Sequence, residues 1–376
     1  MPLKDVYITS LSKFLPNDGI SNDEMEDYLG LIGGKPSRAR RIVLRNNGIQ
    51  KRYYSLRLDG SFSHTNAELV LEAIKGLGKD TRDIQVLSCG TSASDQALPS
   101  HTAMVHGLMD GEMEIISPSG ACCSGMHAMK YGYMSIRCGE SENAVAAGSE
   151  LVSPMMMAKN FEGESRTEDE LQGNPVVGFE KDFLRWMLSD GAGAALLENK
   201  PNDEGLSLKI EWIETRSYAN ELETCMYSAA DKLENGDVQS WKLFEPTDWL
   251  NKSVFSMKQD VKLLGANITK VGGRFLREIA DKRGFDVNTI DYFLPHLSSN
   301  FFKQMAFESL QESGVGIELE KWFTNLTSVG NVGSASIYII LEELFNSGKL
   351  QKGQKILLMV PESARFSYAY ALLTVC

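Results

Sequence analysis

Short apolar runs alternate with amphipathic stretches along the whole chain. Val6-Tyr7-Ile8, Ile84-Gln85-Val86-Leu87-Ser88 and Ala144-Val145-Ala146-Ala147 have the length and composition of buried strands. So do Ala194-Ala195-Leu196-Leu197, Leu208-Lys209-Ile210, Tyr292-Phe293-Leu294 and Ile356-Leu357-Leu358-Met359-Val360. Helical apolar spacing predicts helices over Asn66–Leu77, Cys123–Arg137, Lys252–Arg283, Ser299–Ser313 and Ser334–Phe345. Before the last of these, Gly330-Asn331-Val332-Gly333 breaks the chain and Ser334 is a candidate N-cap. Such alternation predicts an α/β protein with largely buried sheets. The polar, glycine-containing stretch 162–180 reads as an inserted loop or lid. Asn202–Glu204 is the best dividing point, giving halves 1–202 and 203–376. Each half carries strands, helices and one glycine-rich turn before a helix, which predicts a structural duplication.

One of those turns holds two adjacent cysteines, in Gly120-Ala121-Cys122-Cys123-Ser124-Gly125. The pattern is strand, tight turn, helix. The first turn of a helix has unpaired N–H groups and partial positive charge, which favour a thiolate and can receive an oxyanion. The competing reading is two small buried residues, the commoner fate of free cysteine.

Composition narrows the classes. With 376 residues, 43% hydrophobic and 23% charged, the chain fits a globular protein of one large or two ordinary domains. No apolar run reaches the roughly 18 residues of a membrane helix, and the first residues lack a signal-peptide plan. We therefore expect a cytoplasmic protein without membrane insertion. The six cysteines lack zinc spacing, so no metal site is expected. A net charge of −12 argues against nucleic acid. Locally, however, Lys35, Arg38, Arg40, Arg41, Arg45, Lys51 and Arg52 are concentrated. This is either a solvated loop or a landing site for an anionic partner.

A cysteine nucleophile needs partners that handle protons and polarise a carbonyl. Among five histidines, His296 alone follows a strand closed by proline and precedes a helix, the position where α/β folds place site residues. It is also readable as an ordinary loop histidine. Asn331, between glycines, is either a turn residue or an amide that approaches substrate closely.

Together these residues resemble the thiolase-fold condensing enzymes, specifically the β-ketoacyl-acyl-carrier-protein synthase III family, over nearly the whole chain. The family's Ala-Cys-Ser-Gly matches at Cys123, its Pro-His at Pro295-His296, and its Gly-Asn-x-x-x-Ala-Ser at Gly330-Asn331 through Ser336. Asp190-Gly191-Ala192-Gly193-Ala194 and Gly148-Ser149-Glu150 match two further motifs in order. The resemblance implies a layered α-β-α-β-α fold of two duplicated halves. It implies an acyltransferase that forms a carbon–carbon bond by Claisen condensation, with no cofactor. Cys123 would carry the acyl group, with Cys122 pointing away. Backbone N–H groups of Cys123 and Ala364 would form the oxyanion hole. His296, neutral, and Asn331 would polarise the second thioester. Acyl carrier protein or acyl-coenzyme A thioesters are the implied partners, and a homodimer is expected.

The chain departs from the pattern at several points. Ile42 replaces an aromatic residue that stacks on coenzyme A, which favours carrier protein, with Arg38, Arg41 and Arg45 as candidate contacts for its phosphopantetheine arm. Leu98 replaces a phenylalanine that closes the partner subunit's acyl pocket. Ser363-Ala364-Arg365-Phe366 replaces Gly-Gly-Gly-Phe. Asn300 lies one residue later than the family's asparagine. These changes resemble the dialkylresorcinol and flexirubin-type ketosynthases, in which ring closure needs another base; Glu150 is the candidate. A housekeeping initiator of fatty-acid synthesis is the alternative. A non-catalytic partner of another ketosynthase is disfavoured by the intact Cys123, His296 and Asn331.

Overall fold

The computed structural model describes residues 3–37, 39–161 and 183–376; the expected lid, 162–180, and Arg38 lie outside them. The central sheet has nine strands: β1 (Tyr7–Phe14), β2 (Val86–Thr91), β3 (Glu114–Ile116), β4 (Asn143–Glu150), β5 (Gly191–Glu198), β6 (Leu208–Ser217), β7 (Tyr292–Pro295), β8 (Lys355–Glu362) and β9 (Ser367–Val375). Their order is β7-β8-β9-β6-β1-β5-β4-β2-β3. Only Tyr7 and Ile8 join β1 to β6 at the centre. Outward from that seam the sequence repeats. The first strand of each half lies at the seam, then the last, then the one before it, then the second. In both halves the last two strands run antiparallel and the outer pairs are parallel.

Three apolar layers follow from this arrangement. Helices Cys123–Cys138 and Ser336–Phe345 share one core with strands of both halves, through Met126, Met129, Ile337, Tyr338 and Leu341. Helix Asn66–Lys75 covers the outer face of the first half, and helices Val261–Arg283 and Phe301–Glu312 that of the second. The result is the five-layer α-β-α-β-α arrangement of the thiolase-like fold. Burial on both faces explains why the strands read as continuous apolar runs. Among the described residues, no helix is long and apolar enough to cross a membrane.

Three local expectations change. The helix expected from Lys252 begins at Val261, because the Asp260 side chain accepts from the Leu263 N–H at 2.9 Å and caps it. The preceding Lys258–Gln259 pairs as a strand with Met226–Tyr227. Ser334 is not the N-cap of the last helix; Ala335 is. The Ser334 hydroxyl donates to a carbonyl instead, with those of Ser149 and Gly90 at 2.9 and 3.2 Å. Strand β9 is the third change. Lying between β8 and β6, it is buried on both sides and shows no alternation in Ser-Tyr-Ala-Tyr-Ala-Leu-Leu.

Candidate active site

Cys122 occupies the N-cap of the helix Cys123–Cys138, which stops at left-handed Gly139. The start of this helix is pressed against the Asn331 loop. A Cβ on Gly125 would lie 2.2 Å from the Ser334 carbonyl oxygen, and one on Gly148 would lie 2.3 Å from it. Only glycine permits either approach. The Tyr338 hydroxyl donates to the Gly125 carbonyl at 2.7 Å from the opposite helix. The two glycine-rich turns of the two halves are thereby locked together, although they are two hundred residues apart.

His296 follows β7, and its backbone N–H donates to Met359 on β8 at 2.8 Å. The imidazole is 2% exposed, its Nε2 has no hydrogen-bond partner, and burial pulls its pKa down to about 4. It is therefore neutral at physiological pH. The Asn331 N–H donates to Met187 at 3.1 Å, and its carbonyl accepts from Ser189 at 2.9 Å. Its Oδ1 accepts from the Gly333 N–H at 2.9 Å. With that oxygen committed, the side-chain NH2 is the group left to donate to a ligand.

His296, Asn331 and Cys122 line one open-mouthed cavity with about 610 Å³ of empty space. Its walls are mostly apolar, including Met187, Met226, Met257, Leu264 and Ile268. A second cavity of about 420 Å³ runs between helices Val261–Arg283 and Phe301–Glu312, past Phe302, Ala306, Leu310 and Tyr368. His296, Ser298, Ile268 and Pro361 border both. Sites of this size with few polar groups suit apolar small-molecule portions. Among the described residues, no cluster of His, Cys, Asp and Glu could hold a metal ion.

The cysteine pair is divided differently from the sequence expectation. Cys122 is half-buried and lines the cavity rather than pointing away from it. Cys123 is fully buried, and its Sγ lies 3.2 Å from the Val360 carbonyl as donor. The reason is helical geometry: one residue further along, the side chain turns by roughly 100°, from the cavity into the core. The amide of Cys123 is also occupied. It donates to Glu362 Oε2 at 3.0 Å, and the Ala121 N–H donates to the same oxygen at 3.1 Å. Burial first, then the Glu362 charge, pushes the Cys123 thiol up, and Cys122 is raised by the same causes. The sequence reading assigns Glu362 no part in the site. Its signal is a carboxylate in the segment that otherwise supplies oxyanion donors.

The remaining residues separate clearly. The Ala364 carbonyl accepts from the N–H groups of Cys225 and Met226 at 2.9 and 3.2 Å, and Ala364 does not border either cavity. Glu150 does border the first, but it is tied down: Ser92 Oγ donates to it at 2.5 Å and the Ser334 N–H at 3.0 Å. Leu98 is 86% exposed and lines neither cavity. Asn300 occupies the N-cap position of the helix Phe301–Glu312 without a side-chain cap bond, and its N–H donates to the Asn47 carbonyl. In the basic segment, Arg41 and Arg45 are exposed one turn apart. Arg40 pairs with Glu26 at 2.6 Å, and Arg52 is fully buried, so neither is free for an anionic partner.

Comparison with known proteins agrees with this architecture. Residues 280–373 match the family model for the C terminus of 3-oxoacyl-[acyl-carrier-protein] synthase III, and residues 60–202 match the β-ketoacyl synthase N-terminal domain. The chain is 26% identical over 359 residues to β-ketoacyl-[acyl-carrier-protein] synthase III of Clostridium perfringens, covering 95% of both. Solved structures of the same fold include OleA of Xanthomonas campestris in complex with lauric acid and lauroyl-CoA (TM-score 0.74, 18% identical, 99% of both chains). A tetronic acid condensing enzyme, AbyA1, is similar at TM-score 0.73 and 18% identity, with 98% of this chain and 99% of that one covered. With the two family models matching residues in both halves and relatives of that name covered over nearly their whole length, the chain belongs to the thiolase-fold condensing enzymes of the β-ketoacyl-[acyl-carrier-protein] synthase III family, which are acyltransferases.

Proposed function

We propose that this protein is a ketosynthase that loads an acyl group onto a cysteine and condenses it with a second acyl thioester. The observation that carries the reading is the meeting of His296, Asn331 and the cysteine turn on one apolar cavity. Cys123 is the proposed nucleophile: Ser124-Gly125 follows it, and its amide stands at the anion-binding start of the helix. The reading requires its sulfur to leave the Val360 carbonyl and turn toward the cavity. Attack on a thioester places negative charge on the carbonyl oxygen, which the Cys123 N–H would receive; Ala364, the expected second donor, borders neither cavity and would have to move to take part. Neutral His296 and the Asn331 NH2 then donate to the carbonyl of the second thioester. They stabilise an enolate, which attacks the acyl-cysteine. A second reading places the acyl group on Cys122, and its position on the cavity wall favours that reading.

Peptide-resolved mass spectrometry after incubation with acyl thioesters separates the two. Cys123→Ala is expected to abolish the acyl mass shift, and Cys122→Ala to keep it. The reverse pattern assigns the reaction to Cys122, and no shift in the unmodified protein overturns the function.

The finer reading is joining two acyl chains, as in dialkylresorcinol or cyclohexanedione formation. The two apolar cavities that share His296 support it. Leu98 would then shape the pocket of a second copy in a homodimer, and residues 1–202 and 203–376 would be its two structural halves. Product masses decide between this and a housekeeping initiator. Paired medium-chain acyl-carrier substrates should yield a condensed product, whereas efficient acetoacetyl formation from acetyl-coenzyme A and malonyl-carrier protein indicates the initiator.

A further inference from the structure

The pocket that should receive the oxyanion already holds an anion-shaped group. Glu362 Oε2 accepts from both Ala121 and Cys123, at 3.1 and 3.0 Å. Glu362 is 7% exposed, and among the described residues it makes no ion pair with a lysine or arginine. Its stabilisation comes from two amide N–H groups and the helix N-terminus. The groups that face it are few. Cys122 and Cys123 lie on the nucleophile helix. Glu150, at the end of β4, adds its charge to Cys122. His296, after β7, shares the cavity with Pro361 and Ser363 on either side of Glu362.

Two conflicts follow. A thioester oxyanion cannot take the Cys123 amide while a carboxylate oxygen holds it. A thiolate on Cys123 would sit beside a second negative charge in a desolvated place. The family histidine does not relieve either conflict. Its ring is neutral, no carboxylate among the described residues pairs with it, and burial disfavours the imidazolium. One transfer relieves both.

We propose that Glu362 is the proton acceptor for the nucleophilic cysteine, and that the same transfer frees the oxyanion position. This rests on the ketosynthase reading with Cys123 as nucleophile. The S–H bond of Cys123 breaks and an O–H bond forms on Glu362, so the single negative charge moves to sulfur. The neutral carboxylic acid then holds the amides weakly and yields them to the thioester oxygen as the thiolate attacks. When the tetrahedral intermediate collapses, the C–S bond to the carrier breaks. The departing thiolate takes the proton back from Glu362, which returns as a carboxylate. Protons and charge balance, and no further reactant is needed. Burial raises the affinity of Glu362 for a proton, which makes it a better acceptor than an exposed carboxylate, although the Cys123 thiol is raised too.

Single-turnover acylation of Cys123, followed by intact mass across pH, tests the proposal. Glu362→Gln keeps the shape and an acceptor oxygen but cannot take the proton. We expect its acylation rate to fall by roughly 10²–10⁴-fold, the usual worth of a general base, with partial recovery in Glu362→Asp. A carboxylate that merely blocks the site predicts the opposite sign, and a Gln variant as fast as the unmodified protein or faster overturns the proposal. Should Glu362→Gln fail to fold, the unmodified protein still decides. A rate that levels off below pH ~8.5, the ordinary thiol value, supports an internal acceptor. A rate that climbs about tenfold per pH unit to that value and beyond shows free thiolate attack and overturns it. Absence of any acyl-enzyme, or a label on Cys122, removes the underlying reading and is distinct from a Cys123 label with an unaffected Glu362→Gln rate.

Discussion

His296 shows how burial alone sets a chemical role. Its ring is deep in the protein with no charged partner, and its pKa falls from 6.5 to about 4. His101 behaves alike, with its Nε2 and the Ser149 hydroxyl 3.0 Å apart. The sign of the pH effect follows. Between pH 6.5 and 4 the unfolded chain binds these protons and the folded chain does not, so stability drops as pH falls through that window and levels off below it. Each histidine contributes up to about 3 kcal/mol of that loss. Denaturant melts at pH 7 and pH 5 should show it, and His101→Gln should flatten the slope without touching the cavity. For His296→Ala we expect the acyl-enzyme to form but condensation to fall by at least ~10²-fold, read as an acyl mass shift that persists when the second thioester is added. The neutral histidine and the motif cysteine were legible as residue types. Glu362 was not, because a glutamate at a strand end is usually solvated, and only the pairing of β8 beneath the nucleophile turn carries it to the amides.

At the scale of elements, the two turns are positioned by close backbone contact together with a few buried side-chain bonds, from Tyr338 to Gly125 and from Ser334 to Glu150. Gly125 and Gly148 both abut the Ser334 carbonyl, so Gly125→Ala forces two backbones apart. We expect it to destabilise the fold by about 1–3 kcal/mol or more and to impair condensation. The contrast is Gly265, inside helix Val261–Arg283, where a Cβ meets nothing within 4 Å. Gly265→Ala should raise stability by roughly 0.5–1 kcal/mol in thermal unfolding. Periodicity found most strands and the core helices, since both burial periods are written in the apolar positions. It missed the start of helix Val261–Arg283, where the Asp260 cap and a short strand pairing outweigh the apolar spacing from Lys252. It also misplaced Ser334, whose hydroxyl serves the turn-to-turn junction instead of its own helix.

For the whole molecule, the proposed use of an acyl carrier protein makes a prediction about the exposed basic residues. Among the described residues of the basic segment, Arg41 and Arg45 are the exposed arginines, with Lys35 and Lys51 exposed beside them. Reversing both arginines to glutamate should slow acyl-carrier-protein-dependent loading severalfold and weaken its salt dependence, while a short pantetheine thioester is used as before. Equal losses with both substrates would refute carrier docking there. The sequence by itself determined the fold class, the duplication and the three residues proposed for condensation, because apolar periodicity and short motifs are local properties of the chain. Tertiary structure alone decided which cysteine faces the cavity, which arginines remain free and what occupies the oxyanion position. Those depend on the direction of a side chain at a helix start, on ion pairs such as Arg40 with Glu26, and on Glu362 meeting amides some two hundred and forty residues away.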